Sequence, residues 1–420
     1  MRKRDDMRKS WLAVLAAAPL VLAACGGSDP SGSTGDASGA KAGETIKIGS
    51  LHPLSGSSAA DGQQMDNGAK LAVEAINKAG GIKALDGAKL ELLSADTQGK
   101  PEIGQSEAQR LIQEGAVALI GTYQSAVTTN VSAVAERNKV PLVIDVSSAD
   151  SILKQGYKYT FRVQPSSTVL GTEGAQYLSD VSTAAGSPAK KVAILHEQGP
   201  FGAGIRDAFE AEAASLGIEI GPVISYDAAS VSDLTTQITA VKASGSDVLV
   251  VAGYYRDGVL AAKAVSTVKP TLNAVLGVAN GAFDLPQFPK EAGAAAEGFF
   301  DANYHSDMTN PDMQALATLY TERYNDEIRT GAVLSYDSVR VIAAALEQAG
   351  SSAPAKVRGA IATVSLESLI AQDGPIKFDA TGENENASPI LMQVQDGVVK
   401  QVFPAVKAES KPVYPAKPGQ

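Results

Sequence analysis

The sequence has 420 residues, which is too long for one hydrophobic core and indicates two domains of ordinary size. Its formal net charge of −10 argues against nucleic acid as a partner, because phosphate binding requires clusters of lysine and arginine. The single cysteine excludes disulfides within the chain and cysteine-based metal sites, and the scattered His52, His196 and His305 are expected to be structural rather than metal ligands.

The amino terminus has the pattern of a secretory signal peptide. Residues 1–24 begin with a basic segment and continue with an uncharged apolar run at positions 11–24, short of the ~20 residues that a membrane-spanning helix needs. The run ends in Leu22-Ala23-Ala24-Cys25, which resembles the lipobox of bacterial lipoproteins, where the cysteine is lipidated. A plain signal sequence with a chance cysteine is the alternative. Lipidation at Cys25 is favoured, because the only cysteine occupies the position that the motif requires.

A flexible linker follows the cysteine. Residues 26–44 contain six glycines and four serines and almost no apolar side chains. Such a segment cannot bury enough apolar surface to fold. We therefore expect residues 25–45 to tether a folded body to the membrane.

Residues 46–82 predict a strand, a polar loop and a helix. The apolar run 46–51 is typical of a buried parallel strand, and the apolar positions after the loop recur at helical spacing until Gly80-Gly81. Open α/β sheets bind ligands where a strand delivers such a loop to a helix. We expect the Ser/Gly loop that contains Ser57 to form one wall of a ligand site, although an ordinary strand–loop–helix connection is the alternative.

Two later strands also end in serine-bearing loops. The short apolar run 117–120 precedes GTYQSAVTT, where Ser125 stands near the start of a helix that runs to about Asn138. The free N–H groups of that first turn and the Ser125 hydroxyl predict a seat for an anion, and Ser125 can also be the N-cap. The run 140–144 is followed by Ser147 and Ser148.

The alternation of strands and helices restarts at Ser166 and predicts a second doubly wound lobe. Strands are expected at 191–195, 219–225, 247–251 and 274–276, with helices at 168–181, 205–216, 232–243 and 259–268. Helices at 311–324, 334–348 and 354–364 follow, and a β segment closes the fold with a hairpin turn at Asp396-Gly397. The proline-rich tail 404–420 is expected to be frayed.

No motif indicates catalysis. The segment FGAGIRD resembles a dinucleotide fingerprint, but Asp207 replaces its third glycine and the loop before it is long, so we interpret it as chance. No nucleophile elbow and no Walker A motif occur. We therefore expect a binding protein with no catalytic residues, no cofactor and no metal.

Aromatic residues make up only 5% of the chain, and three lie in loops after strands. Tyr254 and Tyr255 follow one strand and Phe201 follows the preceding one. In such loops aromatic rings can close over an apolar ligand while hydroxyls bind its polar end. The alternative is a packed tyrosine pair between two helices.

The order of motifs resembles one family over roughly residues 46–403. Its carriers are IKIGSLHPLSG with NGAKLAVEAINKAGGI, IGTYQSAVTT, VPLVIDVSSADS, KYTFRVQPS, KKVAILHEQGPFGAG, DVLVVAGYYRDG and GPIKFDATGE. The chain resembles the substrate-binding lipoproteins of ABC importers of the leucine/isoleucine/valine-binding type, which have the type I periplasmic-binding-protein fold. The resemblance implies an α/β fold of two doubly wound lobes, 46–164 plus 299–386 and 165–298 plus 387–403, joined by three hinge crossings near Gln164, Phe299 and Asn386.

The resemblance also implies the roles of site residues. The solute's carboxylate would meet Ser125 and the backbone around Tyr123 and Gln124, and Ser147 with Ser148 would hold its polar head. Phe201 with Tyr254 or Tyr255 would come from the second lobe. In amino-acid binders of this family an acidic residue meets the ammonium, but here Ala279 occupies that place, with Asn280 beside it. Asp61, which replaces an aromatic residue common in the first loop, is a candidate substitute.

These features predict a monomeric solute-binding lipoprotein on the extracytoplasmic face of a bacterial membrane. It would be anchored through Cys25, capture a branched-chain or other amino acid, and deliver it to an ABC permease. Because Ala279 removes the expected salt bridge, an aromatic carboxylate or an amide is the alternative solute. A ligand-sensing receptor domain is a further alternative, and a nucleotide-dependent enzyme rests on FGAGIRD alone.

Overall fold

The computed structural model of the chain describes residues 45–419. The predicted signal peptide, the lipidation site Cys25 and most of the predicted linker lie outside these residues. Within the described range, the fold consists of two sheets, each covered by helices on both faces.

The first sheet is entirely parallel. Its strands are β1 (Ile46–His52), β2 (Leu90–Asp96), β3 (Ala116–Gly121), β4 (Leu142–Ile144) and β5 (Thr160–Arg162), in the order β2-β1-β3-β4-β5. The central strands carry almost continuous apolar runs, because both faces of a parallel sheet are buried.

The strands that follow are β6 (Lys191–Glu197), β7 (Glu219–Tyr226), β8 (Val248–Ala252), β9 (Ala274–Val278), β10 (Phe300–Asn303), β11 (Ser365–Leu366), β12 (Ile376–Lys377), β13 (Ile390–Gln395) and β14 (Val398–Phe403). The second sheet has the order β14-β13-β10-β9-β8-β6-β7, and β11 with β12 forms a separate small pair. Strands β6 to β10 are parallel, whereas β13 and β14 are antiparallel additions at one edge.

The α-helices of the described chain are α1 (Ala59–Lys78), α2 (Pro101–Gln113), α3 (Ser125–Asn138), α4 (Ser167–Ala184), α5 (Pro200–Ser215), α6 (Thr235–Ser244), α7 (Tyr255–Val268), α8 (Gln287–Ala292), α9 (Pro311–Tyr324), α10 (Thr330–Ala349) and α11 (Pro354–Ile361). Helices α1, α10 and α11 cover one face of the first sheet, and α2 and α3 cover the other. On the second sheet α4 and α5 lie opposite α6 and α7. Both lobes are therefore doubly wound, as predicted.

Most predicted elements are confirmed, and two details differ. The crossing predicted near Phe299 lies one strand later, because β10 pairs with β9 and the chain leaves the second sheet only after Asn303. Strand β5 was not predicted, since three residues are too few to show a period. The exact lobe boundaries stay a prediction. The hairpin at Asp396-Gly397 is confirmed, with positive φ at both turn residues.

The tail beyond β14 is not frayed, contrary to the prediction. The N–H of Ala416 donates to the carbonyl of Asn273 at 2.7 Å, and Gln393 Nε2 donates to the carbonyl of Val413 at 2.9 Å. Tyr414 and Ala416 pack against the core between the second sheet and α4 and α5. The tail is therefore a closing segment of the second lobe.

In residues 45–419, no helix has the length and apolar character needed to cross a membrane. The same residues contain no cluster of three or more His, Cys, Asp or Glu side chains arranged to hold a metal ion.

Candidate ligand-binding site

An inner cavity of about 40 Å³ lies between the lobes, at the carboxyl ends of strands from both sheets. The first lobe contributes Ser125, Ser147 and Ser148, and the second contributes Phe201 and Tyr254. The ends of four strands, β3, β4, β6 and β8, thus converge on one point, as the rule for open α/β sheets requires. The structure brings together three of the four predicted serines, all except Ser57, and two of the three aromatic residues predicted from the second lobe.

The three serines differ in how their hydroxyls are used. Ser147 Oγ donates to the carbonyl of Thr122 at 2.7 Å, and Ser148 Oγ lies 3.0 Å from Ser167 Oγ at the start of α4. Ser125 Oγ only accepts a long hydrogen bond of 3.3 Å, from the N–H of Ala149. Ser147 therefore fixes the loop before α3, and Ser148 joins the lobes near a hinge crossing. The hydroxyl of Ser125, at the first turn of α3, is the one most available to a ligand.

Aromatic rings form the apolar wall of this cavity. The ring of Tyr254 lies 5.2 Å from the ring of Tyr123 and 5.6 Å from that of Phe201, measured between centroids. Tyr123 belongs to the first lobe and the other two to the second, so the rings meet across the cleft. Burial raises the pKa of the Tyr123 and Tyr254 hydroxyls well above the usual value, so both stay neutral hydrogen-bonding groups.

A second cavity of about 40 Å³ adjoins the first. The two cavities share the walls Tyr123, Val146, Gly281 and Tyr304. The second is lined also by the charged and polar residues Asp61, Asp284, Asn303, Arg329 and Thr330.

Asp61 is paired within the protein rather than left for a ligand. Its carboxylate accepts a hydrogen bond of 2.5 Å from Arg329 Nη1, and both side chains are mostly buried. Burial raises the pKa of Asp61, while the Arg329 guanidinium opposes this shift. Because Arg329 already neutralises the carboxylate, the geometry does not favour Asp61 as the partner of a solute ammonium.

Tyr255 and Asn280 face away from the inner cavity. The hydroxyl of Tyr255 donates to Glu291 at 2.7 Å, and its ring lies 4.4 Å under the guanidinium carbon of Arg329. Asn280 accepts from the N–H of Ala282 at 3.0 Å and is fully buried within its own loop. The structure therefore places neither predicted residue against the inner cavity.

An outer cavity of about 310 Å³ opens from the cleft to solvent. Its lining includes the predicted residues Ser57, Gln124 and Asp61, together with Lys100 and Arg256. Ser57 is exposed at the entrance. These residues contribute to the approach rather than to the inner cavity.

Residues 45–398 match the sequence profile described as periplasmic binding protein. The chain belongs to the periplasmic binding protein family. This result confirms the resemblance found in the sequence. A curated relative, the Leu/Ile/Val-binding protein homolog 8 of Brucella melitensis, is 28% identical over 376 residues, which cover 87% of this chain and 92% of the relative.

Solved structures agree with the fold. The branched-chain amino acid transporter substrate-binding protein LivJ from Streptococcus pneumoniae, in complex with isoleucine, is 27% identical, with a TM-score of 0.73 and coverage of 88% of this chain and 100% of LivJ. An ABC transporter solute-binding protein from R. palustris, in complex with benzoate, shares the fold at 20% identity, with a TM-score of 0.71 and coverage of 84% and 94%. The type I periplasmic-binding-protein fold is confirmed.

The structure also explains why FGAGIRD is not a nucleotide site in this binding protein. The carboxylate of Glu197 accepts from the N–H of Gly199 at 2.6 Å and from the N–H of Gly202 at 2.7 Å. These N–H groups at the start of α5 are the ones that a pyrophosphate would need. The protein's own carboxylate occupies that position, so the interpretation of the motif as chance agrees with the geometry.

A buried polar network supports the serine loop. His52 Nε2 lies 2.7 Å from Asp145 Oδ2, and Ser335 Oγ donates to the same oxygen at 2.6 Å. The other Asp145 oxygen accepts from the N–H of Val146 at 2.8 Å. Ser50, 3.0 Å from His52 Nδ1, completes an arrangement that looks like a hydrolase triad, but all of these side chains are fully buried. The network holds the chain just before Ser147 in place.

Sequence reasoning missed Tyr304, Asp284 and Arg329. Tyr304 directly follows β10. The expectation that ligand residues follow strand ends would have identified Tyr304 if the crossing near Phe299 had been placed one strand later. Asp284 follows β9 by six residues and has no motif of its own. Arg329 lines the second cavity and pairs with Asp61, 268 positions earlier, and the sequence holds no signal for this contact.

Asp257 is expected to make the stability of the binding protein depend on pH. Its carboxylate accepts from the N–H of Tyr254 at 3.1 Å and from the Tyr226 hydroxyl at 3.2 Å, but burial dominates and raises its pKa to about 7. The folded state therefore holds a proton that the unfolded state releases near pH 4. The stabilisation from this proton is full below that pH and is lost as pH rises to about 7.

Replacing Asp257 by asparagine removes this titration. We expect the variant to gain stability over the wild type, by on the order of 2 kcal/mol, between pH 5 and pH 8. Urea unfolding of both proteins across this range measures the difference, with the exposed Asp233→Asn as control. A difference that does not change with pH would show that Asp257 keeps the same protonation in both states.

Proposed function

We propose that this chain is the extracytoplasmic solute-binding lipoprotein of an ABC importer. It captures a small amphipathic solute between its lobes and delivers it to a permease. The proposal is supported most by one observation: Ser125, at the first turn of α3, meets Phe201 and Tyr254 of the other lobe around one cavity. A helix N-terminus with a hydroxyl binds a carboxylate, and aromatic rings bind the apolar part.

Membership of the family supports the mechanism. A binding protein of this kind performs no chemistry on its solute, and closure of the lobes reports occupancy to the permease. The relatives named for leucine, isoleucine and valine make a branched-chain amino acid the first candidate solute. The lipobox-like sequence at Cys25 supports a lipid anchor, which would keep the protein near its permease.

An aromatic carboxylate is the second candidate. Ala279 lines the inner cavity where an acidic residue would meet an α-ammonium, so this cavity has no carboxylate of its own among its lining residues. Phe201, Tyr123 and Tyr254 form a wall of adjacent rings, with centroids 5.2 Å and 5.6 Å apart, against which an aromatic ligand can pack.

Thermal unfolding against a solute panel tests the proposal. A solute at 100 times its dissociation constant adds about 2.7 kcal/mol of stability, which raises the midpoint measurably. We expect at least one of leucine, isoleucine, valine or benzoate to raise it. We expect Ser125→Ala to weaken binding of that solute at least about tenfold, which corresponds to 1.4 kcal/mol.

Ser106→Ala is the matched control, because its hydroxyl bonds only the carbonyl of Ile103 on the exposed face of α2. It should bind the solute like the wild type. A panel in which no carboxylate raises the midpoint would argue against the importer function. Unchanged affinity of Ser125→Ala would remove Ser125 from the site.

A further inference from the structure

The second cavity contains a carboxylate oxygen without a partner. Asp284 is 2% exposed and lines the cavity, and its Oδ2 has no hydrogen-bond partner among the described residues. Its Oδ1 receives only a long hydrogen bond of 3.4 Å from Asn303 Nδ2. An unpartnered buried carboxylate oxygen is costly, and a ligand that donates a hydrogen bond to it would remove this cost.

The charged groups around Asp284 leave its carboxylate free to accept a hydrogen bond from a ligand. Arg329, the cation that lines the cavity, is paired with Asp61. Asp301 lies behind Asp284 and is fully buried, and burial raises the pKa of both carboxyl groups. His305 Nε2 lies 3.1 Å from the main-chain carbonyl of Asp284, not from its carboxylate. Carboxyl groups thus outnumber the cations near this oxygen.

The position of Asp284 differs from that expected for an α-ammonium partner. Ala279 lines the inner cavity with the serines, whereas Asp284 lines only the second one. The two cavities meet at shared residues that include Tyr123, Val146 and Tyr304, whose mainly apolar surface lies between the two polar ends. A solute that fills both cavities therefore has a carboxylate at one end and a second polar group at the other.

We propose that Asp284 binds a hydrogen-bond-donating group, an ammonium or a hydroxyl, at the end of the solute opposite its carboxylate. The solute class is then a small carboxylate with a terminal donor and an apolar spacer, such as an ω-amino acid or a ring-hydroxylated benzoate. This inference rests on the proposed function, because the other end of the solute is assigned to Ser125.

Isothermal titration with matched pairs tests the inference. The probes are 5-aminovalerate against valerate and 4-hydroxybenzoate against benzoate, with leucine as reference. For at least one pair, we expect the donor-bearing member to bind the wild type at least about tenfold tighter than its partner. In Asp284→Leu, which removes the acceptor, this preference should disappear while affinity for the member without a donor stays the same.

A control variant and the solute panel distinguish failure of this inference from failure of the proposed function. Asp227→Asn changes another carboxylate, one that lines only the outer cavity, and should keep the preference. The wild-type pairs need no variant, so a folding defect in Asp284→Leu leaves the comparison valid. Binding of leucine or of the carboxylates without any preference for a donor would overturn the inference and leave the proposed function standing. No binding by any solute of the panel would overturn both.

Discussion

Replacement of Arg162 by alanine is expected to destabilise the folded protein by about 3–5 kcal/mol. Arg162 is fully buried in β5, and its guanidinium forms a two-pronged pair with Glu383 at 2.9 Å and 2.6 Å. Its Nη1 donates to the carbonyls of Ser147 at 3.1 Å and Ala149 at 3.2 Å. Alanine would leave a carboxylate and two carbonyl oxygens without their donor.

The same substitution should also weaken solute binding. Arg162 ties the serine loop to the segment around Glu383, which precedes a predicted hinge crossing, so its loss frees the backbone of Ser147. Urea unfolding measures the stability, and titration with whichever of leucine, isoleucine, valine and benzoate raises the wild-type midpoint measures binding.

Arg110→Ala is the control, since Arg110 pairs with Glu107 and Glu114 at the surface and its side chain is 42% exposed. It should cost less than about 1 kcal/mol. A similar small cost for Arg162→Ala would mean that water replaces its hydrogen bonds.

Helices and strands were predictable because each produces its own local periodicity of apolar residues. The apolar runs of β1 and β6 are typical of buried strands, and Pro311 marks a helix start that the structure reproduces. The serine loops were predictable for a related reason. Once parallel strands are recognised, their carboxyl ends must meet at one edge of the sheet.

Contacts between distant segments were not predictable in this way. Asp61 looked like a free carboxylate because nothing in its neighbourhood reveals Arg329. Asn280 looked like a ligand residue, but its oxygen is used by the N–H of Ala282. The tail looked frayed from its prolines, although Tyr414 packs into the second lobe. In each case the partner is supplied by tertiary structure, which local pattern does not encode.

Arg329 makes a second connection between the lobes, apart from that of Ser148 with Ser167. It lies directly before α10, which packs on α1 of the first lobe, and its guanidinium lies over the ring of Tyr255 in the second lobe. A second contact stands beside it, where Lys290 Nζ of α8 lies 2.7 Å from Glu327 Oε2. These contacts connect the two lobes across the cleft, so we expect them to favour the closed state that retains solute.

Replacing Arg329 by alanine is therefore expected to weaken solute binding by about tenfold to a hundredfold, for two reasons. Loss of a cation–π contact of roughly 0.5–2 kcal/mol reduces the closed population, and apparent affinity falls with that population. The Asp61 carboxylate also loses its cation and then repels a carboxylate solute across the cavity.

A set of variants separates the two causes. Arg329→Lys keeps a positive charge near Asp61 but not the planar stack, so it should recover part of the affinity. Combining Asp61→Asn with Arg329→Ala removes the repulsion and leaves only the lost stack, and titration of all the variants gives each contribution. Arg323→Ala, which breaks an exposed pair with Glu74 at 3.3 Å, should bind normally. Wild-type affinity in Arg329→Ala would mean that closure depends on the hinge and the solute alone.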